Sequence, residues 1–339
     1  TTNKISYLSI DMNHEIPERP LVGRLAPSPT GAQHIGNART YLLAWLSIRS
    51  RGGKLILRME DIDSPRIKPG AAQQAIDDLC WLGLDWDEGP DIGGPHAPYV
   101  QTERRESYQA ALNLLKSAEQ VYPCTCTRSD ISAAASAPHA GLEGPHYPGT
   151  CSHRSVKDGE ELSSRGQPFA WRFRTTSTRH ELHDRIAGKL SCNVHEELGD
   201  FVVYKSDGSP AYQLAVVRDD LAMGVTEVLR GDDLLPSAFR QLDLYRFFRA
   251  TPPEFAHVPL VIGEDGRRLA KRHGDTRISL LREQGAAAAK FVGFLAWSLG
   301  LRPTANLVTP KELLADFHFD QLPSGPFVFT NTMLHELLR

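Results

Sequence analysis

Several absences narrow the possibilities first. No apolar run approaches the length of a membrane span, and the N-terminus has neither the basic start nor the apolar middle of a secretory signal. A cytoplasmic protein with no membrane partner is therefore expected. Positive charge is not in excess either: 38 Lys and Arg against 41 Asp and Glu leave a net charge of −3. That removes a globally basic nucleic-acid binder but not a local basic patch. Arg267, Arg268, Lys271, Arg272, Arg277 and Arg282 form one such patch. Cysteine is scarce, with five residues, and the odd number argues against a disulfide framework. No internal repeat is visible.

What remains is an ordinary globular composition, 41% hydrophobic and 23% charged, over 339 residues. That length allows two or three domains. From Leu21 the chain alternates: "LVGRL" reads as a strand, "NARTYLLAWLSIRS" as a helix closed by Gly52 and Gly53, and "KLILRMEDID" as a second strand. Helices follow from about Gly70 to Leu82 and from Glu103 to Glu119. Strand, helix, strand with short links is a parallel α/β unit, whose ligands bind beyond the carboxyl ends of the strands. The loop Gly23–Thr40 and the acidic turn Glu60–Asp63 both lie on that edge.

The alternation breaks near Tyr122, where "YPCTCTRSDISAAASAPHAGLEGPHYPGTCSHR" reads as an insertion. After it, "FAWRFRT" resembles a strand. In "DFVVYKSDGSPAYQLAV" the triplet Ser206-Asp207-Gly208 signals a hairpin. The α/β pattern resumes with the strand "VTEVLRG", the helix "SAFRQLDLYRFFRA" and the strand "FAHVPLVIG"; the last 70 or so residues are mainly helical.

Three constellations carry chemistry. His34-Ile35-Gly36-Asn37 stands at a helix mouth, where an imidazole can donate to a phosphate or simply cap the helix. Pro27 and Pro29 stiffen that loop. "GRRLAKRHG", from Gly266 to Gly274, is a glycine-flanked basic loop able to swing Lys271 onto a polyphosphate. Cys124, Cys126 and Cys151, with Tyr147 and His153 nearby, offer thiolates plus an O or N donor for a tetrahedral Zn²⁺. Three buried thiols are the plainer alternative.

Taken together, "PSPTGAQHIGNART" and "RLAKRHG" resemble the paired signatures of class I aminoacyl-tRNA synthetases, most closely the glutamyl branch. "RMEDIDSPR", "GLDWDEGP", "YPCTCTR", "DFVVYKSDG", "AYQLAV" and "VTEVLRGDDLL" extend the match from about Leu21 to Leu301. The resemblance implies a fold class of α/β: a Rossmann-type parallel sheet split by a zinc-binding insertion, with a helical C-terminal appendage. The expected divisions are a tail (1–19), the two catalytic halves (20–118 and 200–262), the zinc insertion (119–199) and the appendage with the second signature loop (263–339).

The resemblance also implies roles. Arg24 and Ser28, with the backbone of Leu25, Ala26 and Pro27, would contact glutamate; Glu60 would hold its amino group, and Tyr212 and Arg230 would complete the pocket. An anionic amino acid needs guanidinium forks, and its ammonium needs a carboxylate. His34, Gly36, Asn37 and Lys271 would bind ATP, with His34 and Lys271 as catalytic residues and Mg²⁺ alongside. Ion pairs at Arg24 and Glu60 (the latter with Arg58) and core packing of Tyr212 are the non-functional alternatives. Three departures stand out: Arg268 and Ala270 replace a Lys and a Ser of the second signature, and Arg218 intrudes in "VRDD".

The metal set implied is Cys124, Cys126, Cys151 and one further residue. General ligand chemistry favours His153, whereas the wording "AAASAPHA…GPHYPGTC" resembles shortened family members that use the tyrosine, here Tyr147. Those members attach glutamate to queuosine in the anticodon loop of tRNA(Asp), and the short tail from Gly274 to Arg339 also resembles theirs. The partners expected are L-glutamate, ATP and tRNA(Asp) rather than tRNA(Glu). A truncated enzyme charging tRNA(Glu), or a non-catalytic RNA-binding paralogue, are the alternatives.

Overall fold

The computed structural model of the protein describes residues 19–29, 31–62, 67–127, 129–131, 146–269 and 275–338. Strand β1 (Val22–Leu25), helix α1 (Ile35–Arg49) and strand β2 (Lys54–Leu57) form the first parallel unit, in register from Val22–Lys54 to Leu25–Leu57. Helix α1 is buried nearly all round, including its Arg39 and Ser47, as a helix enclosed by a core is. Its Leu42, Leu43, Trp45 and Leu46 are almost wholly buried, each worth roughly 1.5–3 kcal/mol. Helices α2 (Ala71–Trp81) and α3 (Arg105–Ser117) follow.

Strands β3 (Val121–Cys124), β4 (Ala170–Phe173) and β7 (Phe201–Tyr204) form an antiparallel sheet. Helix α4 (Val156–Ser164) and the hairpin of β5 (Arg179–Asp184) and β6 (Gly188–Asn193) lie between them in sequence. Trp171, Phe173 and Phe201 of this sheet pack with Tyr108 and Leu115 of α3 and with Leu214 and Val217 of α5 (Tyr212–Ala222). The inserted chain is thus cemented to its neighbours by a shared core. Strands β8 (Glu227–Gly231) and β9 (Glu254–Val258) form a second parallel pair, with α6 (Leu235–Phe247) between them. It lies beside β1, where the Thr226 N–H donates to the Val22 carbonyl at 2.8 Å.

Two expectations are corrected. The chain does reverse at Ser206–Gly208, with Gly208 at φ +79°, and Tyr204 bridges Pro210. The returning arm is α5, however, and not a strand. An apolar run such as "QLAVV" suits a buried helix as well as a strand, and the turn settles only the reversal. "FAHVPLVIG" is two strands, because Pro259 has no N–H for a ladder. Its second piece, β10 (Val261–Ile262), pairs with β11 (Phe327–Val328). Helices α7 (Ile278–Glu283), α8 (Ala288–Ser298) and α9 (Asn331–Leu338) close the chain, and Phe291, Leu295 and Phe329 share one core with α1. No helix among the described residues is long and apolar enough to cross a membrane.

Candidate active site and thiol cluster

At the carboxyl ends of β1, β2 and β8 lie two adjoining cavities of about 170 and 650 Å³. Ala26, His34, Asn37, Glu60, Tyr212 and Arg268 line both; Arg24, Gly36 and Arg230 line the smaller, Ser28 the larger. Leu25 faces the core, and neither it nor Pro27 lines either cavity. Their carbonyls are taken by Arg58 N–H (2.9 Å) and Glu60 N–H (3.0 Å), which lock the β1 loop against the β2 end. Lys271 and Ala270 lie outside the described residues.

The helix mouth does two jobs at once. His34 Nδ1 accepts from the Gly36 N–H (3.1 Å), and Asn37 Oδ1 accepts from the His34 N–H (3.1 Å), a reciprocal cap. Burial, aided by Arg268, pushes the imidazole down to about 4, so it is neutral near pH 7. With Nδ1 accepting, the single ring hydrogen is on Nε2. His34 therefore offers a neutral N–H donor, not a cation. A Cβ at Gly36 would stand 3.0 Å from its Cε1, so the glycine makes room for the ring.

Charged groups converge deeper in. Arg24, buried on β1, donates through Nη1 to the Leu229 carbonyl at 2.9 Å. Its buried Nε–H has no partner among the described residues, an orphan that a ligand would satisfy. Arg230 on β8 donates to Tyr212 Oη (3.3 Å), Gln241 Oε1 (3.0 Å) and the Leu234 carbonyl (3.3 Å). Glu60 accepts from Arg58 Nη2 at 2.8 Å, so the ion pair foreseen as an alternative exists; the carboxylate still lines both cavities. Burial raises its pKa while Arg58 and Arg24 pull the other way. Arg58 itself is fully buried and held by Asp220 at 2.7 Å. Asp219 accepts from Gln101, Arg104 and Tyr108. The aspartates of "VRDD" are thus bound to structural partners, and Arg218 stacks over Phe248, 5.1 Å from its centroid.

Where β3 ends at Cys124, the sulfurs of Cys124, Cys126 and Cys151 lie within 4.8 Å of one another. Cys126 and Cys151 are 3.7 Å apart; Tyr147 Oη is 3.3 Å from Cys124 Sγ and 3.8 Å from Cys126 Sγ. A tetrahedron with Zn–S bonds of about 2.3 Å has S···S edges of about 3.8 Å, so the donor set fits Zn²⁺. Tyr147 is buried among the thiols, under the Arg172 guanidinium at 3.8 Å, whereas His153 is exposed.

Residues 20–336 match the family model of tRNA synthetases class I (E and Q), catalytic domain. The chain belongs to this family. The synthetase is 52% identical over 308 residues to a Glutamyl-Q tRNA(Asp) synthetase of Rhodopirellula baltica, covering 88% of this chain and 90% of the relative. It is 49% identical over 308 residues to another of that name from Symbiobacterium thermophilum, covering 90% and 95%. Among solved structures it resembles a glutamate-tRNA synthetase from Elizabethkingia anophelis, with a TM-score of 0.79 and 30% identity over 92% of this chain and 68% of that one.

Sequence reasoning weighed Arg58 only as an ion-pair partner of Glu60 and gave no role to Asp233, Gln241 or His257; in this synthetase Asp233 lines the cavity, and Arg58, Gln241 and His257 stand behind residues that do. Asp233 pairs with Arg268 at 2.6 Å at the cavity wall. Only the acidic "GDDLL" and the lone His of "FAHVPL" could have drawn attention, and neither signal is specific.

Proposed function

We propose that the chain activates L-glutamate with ATP and transfers it to queuosine in the anticodon loop of tRNA(Asp). The observation that carries this is one cavity lined by Arg24, Arg230 and Glu60 beside the His34-capped helix start. Two guanidinium groups and a carboxylate suit an amino acid with an acidic side chain. A helix N-terminus with a neutral N–H donor suits phosphate. Relatives named for the queuosine reaction, matched over 90% and 95% of their length, favour it over charging of tRNA(Glu).

In the first step a glutamate α-carboxylate oxygen attacks the α-phosphorus of ATP, forming glutamyl-adenylate and releasing pyrophosphate. Arg24, Arg230, Tyr212 and the loop residues Ala26 and Ser28 hold glutamate, Leu25 and Pro27 fix that loop against the β2 end, and Glu60 orients the ammonium. His34 donates through Nε2–H to a phosphate oxygen, Gly36 and Asn37 shape the helix mouth, and Lys271 brings the positive charge that His34 lacks. Mg²⁺ would neutralise the phosphate charge when bound. In the second step a queuosine hydroxyl attacks the activated acyl carbon and AMP leaves, with positioning as the main contribution. No protein nucleophile is needed.

Cys124, Cys126, Tyr147 and Cys151 would hold one structural Zn²⁺, tying down the inserted segment within the division 20–118, 119–199, 200–262 and 263–339. ATP–pyrophosphate exchange with glutamate tests the whole reading, run without tRNA, with tRNA(Glu) and with queuosine-containing tRNA(Asp). Exchange without tRNA followed by transfer only to the queuosine-bearing tRNA is expected. Transfer to tRNA(Glu) instead would identify a charging enzyme, and no exchange a non-catalytic RNA-binding protein.

A further inference from the structure

Behind Arg230 lies a buried chain of side chains that runs out of the pocket into the β5–β6 hairpin. Arg230 Nε lies 3.1 Å from His257 Nε2, and His257 Nδ1 lies 2.6 Å from Asp184 Oδ2. All three residues are at most 5% exposed. Asp184 ends β5, and its other oxygen accepts backbone N–H groups from Ile186 (3.0 Å), Ala187 (2.8 Å) and His257 (3.1 Å). The hairpin is also pinned to β9 by the Arg185 N–H, which donates to the Phe255 carbonyl at 2.9 Å.

The chemistry of the donors determines the proton arrangement. Arginine Nε–H only donates, so His257 Nε2 must accept; the ring hydrogen is then on Nδ1 and goes to Asp184. A protonated His257 would oppose one N–H to another and place a second positive charge against Arg230. We propose that Asp184 and His257 form a positioning relay that sets the plane of the Arg230 guanidinium, and with it the affinity of the pocket for an anionic amino acid. The relay rests on the glutamate reading above. It makes the hairpin, remote in sequence from both signature loops, a determinant of amino-acid affinity. Neither residue lines the cavity, so they act only through Arg230.

The variant Asp184→Asn tests this in the full chain. The Asn oxygen keeps the three backbone N–H bonds, and its amide N–H₂ then faces His257 Nδ1. That selects the Nε2–H tautomer, which opposes Arg230 Nε–H. Pyrophosphate exchange should show the KM for glutamate raised about tenfold or more, with the KM for ATP and the kcat at saturating glutamate within about threefold of the unmodified enzyme. Asp184→Glu, which restores the acceptor, should recover part of the loss. An unchanged glutamate KM in folded Asp184→Asn would overturn the relay while leaving the glutamate reading intact. If that variant fails to fold, His257→Phe, which keeps the stack on Phe255, replaces it under the same criterion. Failure of both to fold would mean the pair is structural and would overturn the proposal. Absence of glutamate exchange in the unmodified protein would overturn both readings.

Discussion

Arg58 grips Glu60: its Nη2 donates to the carboxylate at 2.8 Å while its Nη1 is held by Asp220 at 2.7 Å. The guanidinium is wholly buried, so the acid that lines the pocket is oriented by a cation that substrate does not reach. Removing Arg58 strands Asp220 without its cation. Arg58→Met should therefore cost about 3–5 kcal/mol of stability, read as a lower urea midpoint. Glu60→Gln keeps an acceptor for Arg58 but loses the charge for the substrate ammonium. Its unfolding midpoint should stay close to that of the unmodified protein while the glutamate KM rises roughly tenfold to a hundredfold. An unchanged KM would remove Glu60 from the pocket.

His34 links folding to pH. Its pKa falls from 6.5 in the unfolded chain to about 4 in the fold. Between these values the unfolded chain binds the proton that the folded imidazole refuses, so this residue's contribution is present above pH 6.5 and is lost as pH falls towards 4. His34→Asn retains a good N-cap and should shed that acid-side slope in thermal melts between pH 4 and 7. The same variant lacks the imidazole Nε2–H, so exchange at pH 7.5 should slow by about 10- to 100-fold. Equal slopes in the two proteins would refute the assignment.

Gly36→Ala separates stability from activity. Alanine is the better helix former by about 1 kcal/mol, but its Cβ would stand 3.0 Å from the His34 ring and push it out of line. The melting temperature should hold or rise while kcat/KM for ATP drops about tenfold. A variant with undiminished activity would show that the position of the imidazole does not matter.

The thiol cluster predicts one zinc per chain by elemental analysis, lost in Cys124→Ser and Cys151→Ser. Tyr147→Phe should release zinc to a chelator faster, whereas His153→Ala should behave as the unmodified protein. Zinc loss in His153→Ala alone would reassign the fourth ligand.

Much of the first half was legible because its signals are local. The start of α1 is set by a His–x–Gly–Asn cap, and the acidic end of β2 follows directly from an apolar run. The hairpin signal at Ser206–Gly208 was only half informative, since turn chemistry fixes a reversal and leaves the returning arm to packing. Glu227, the acid of the "VTEVLRG" strand, proves to be pinned by Ser47, Arg51 and Arg185. Those partners lie about 40 and 180 residues away, beyond the reach of any local pattern.

By itself the sequence determined most of the alternation of strands and helices, because those signals rest on residues a few positions apart, and the family, because its motifs follow one another in order along most of the chain. Only the tertiary structure decided that His34 is a neutral donor, that Tyr147 rather than His153 sits among the sulfurs, and that Arg58 and His257 stand behind the pocket. Those outcomes depend on burial and on partners brought together from distant segments, and desolvation and hydrogen-bond geometry exist only once the chain has folded.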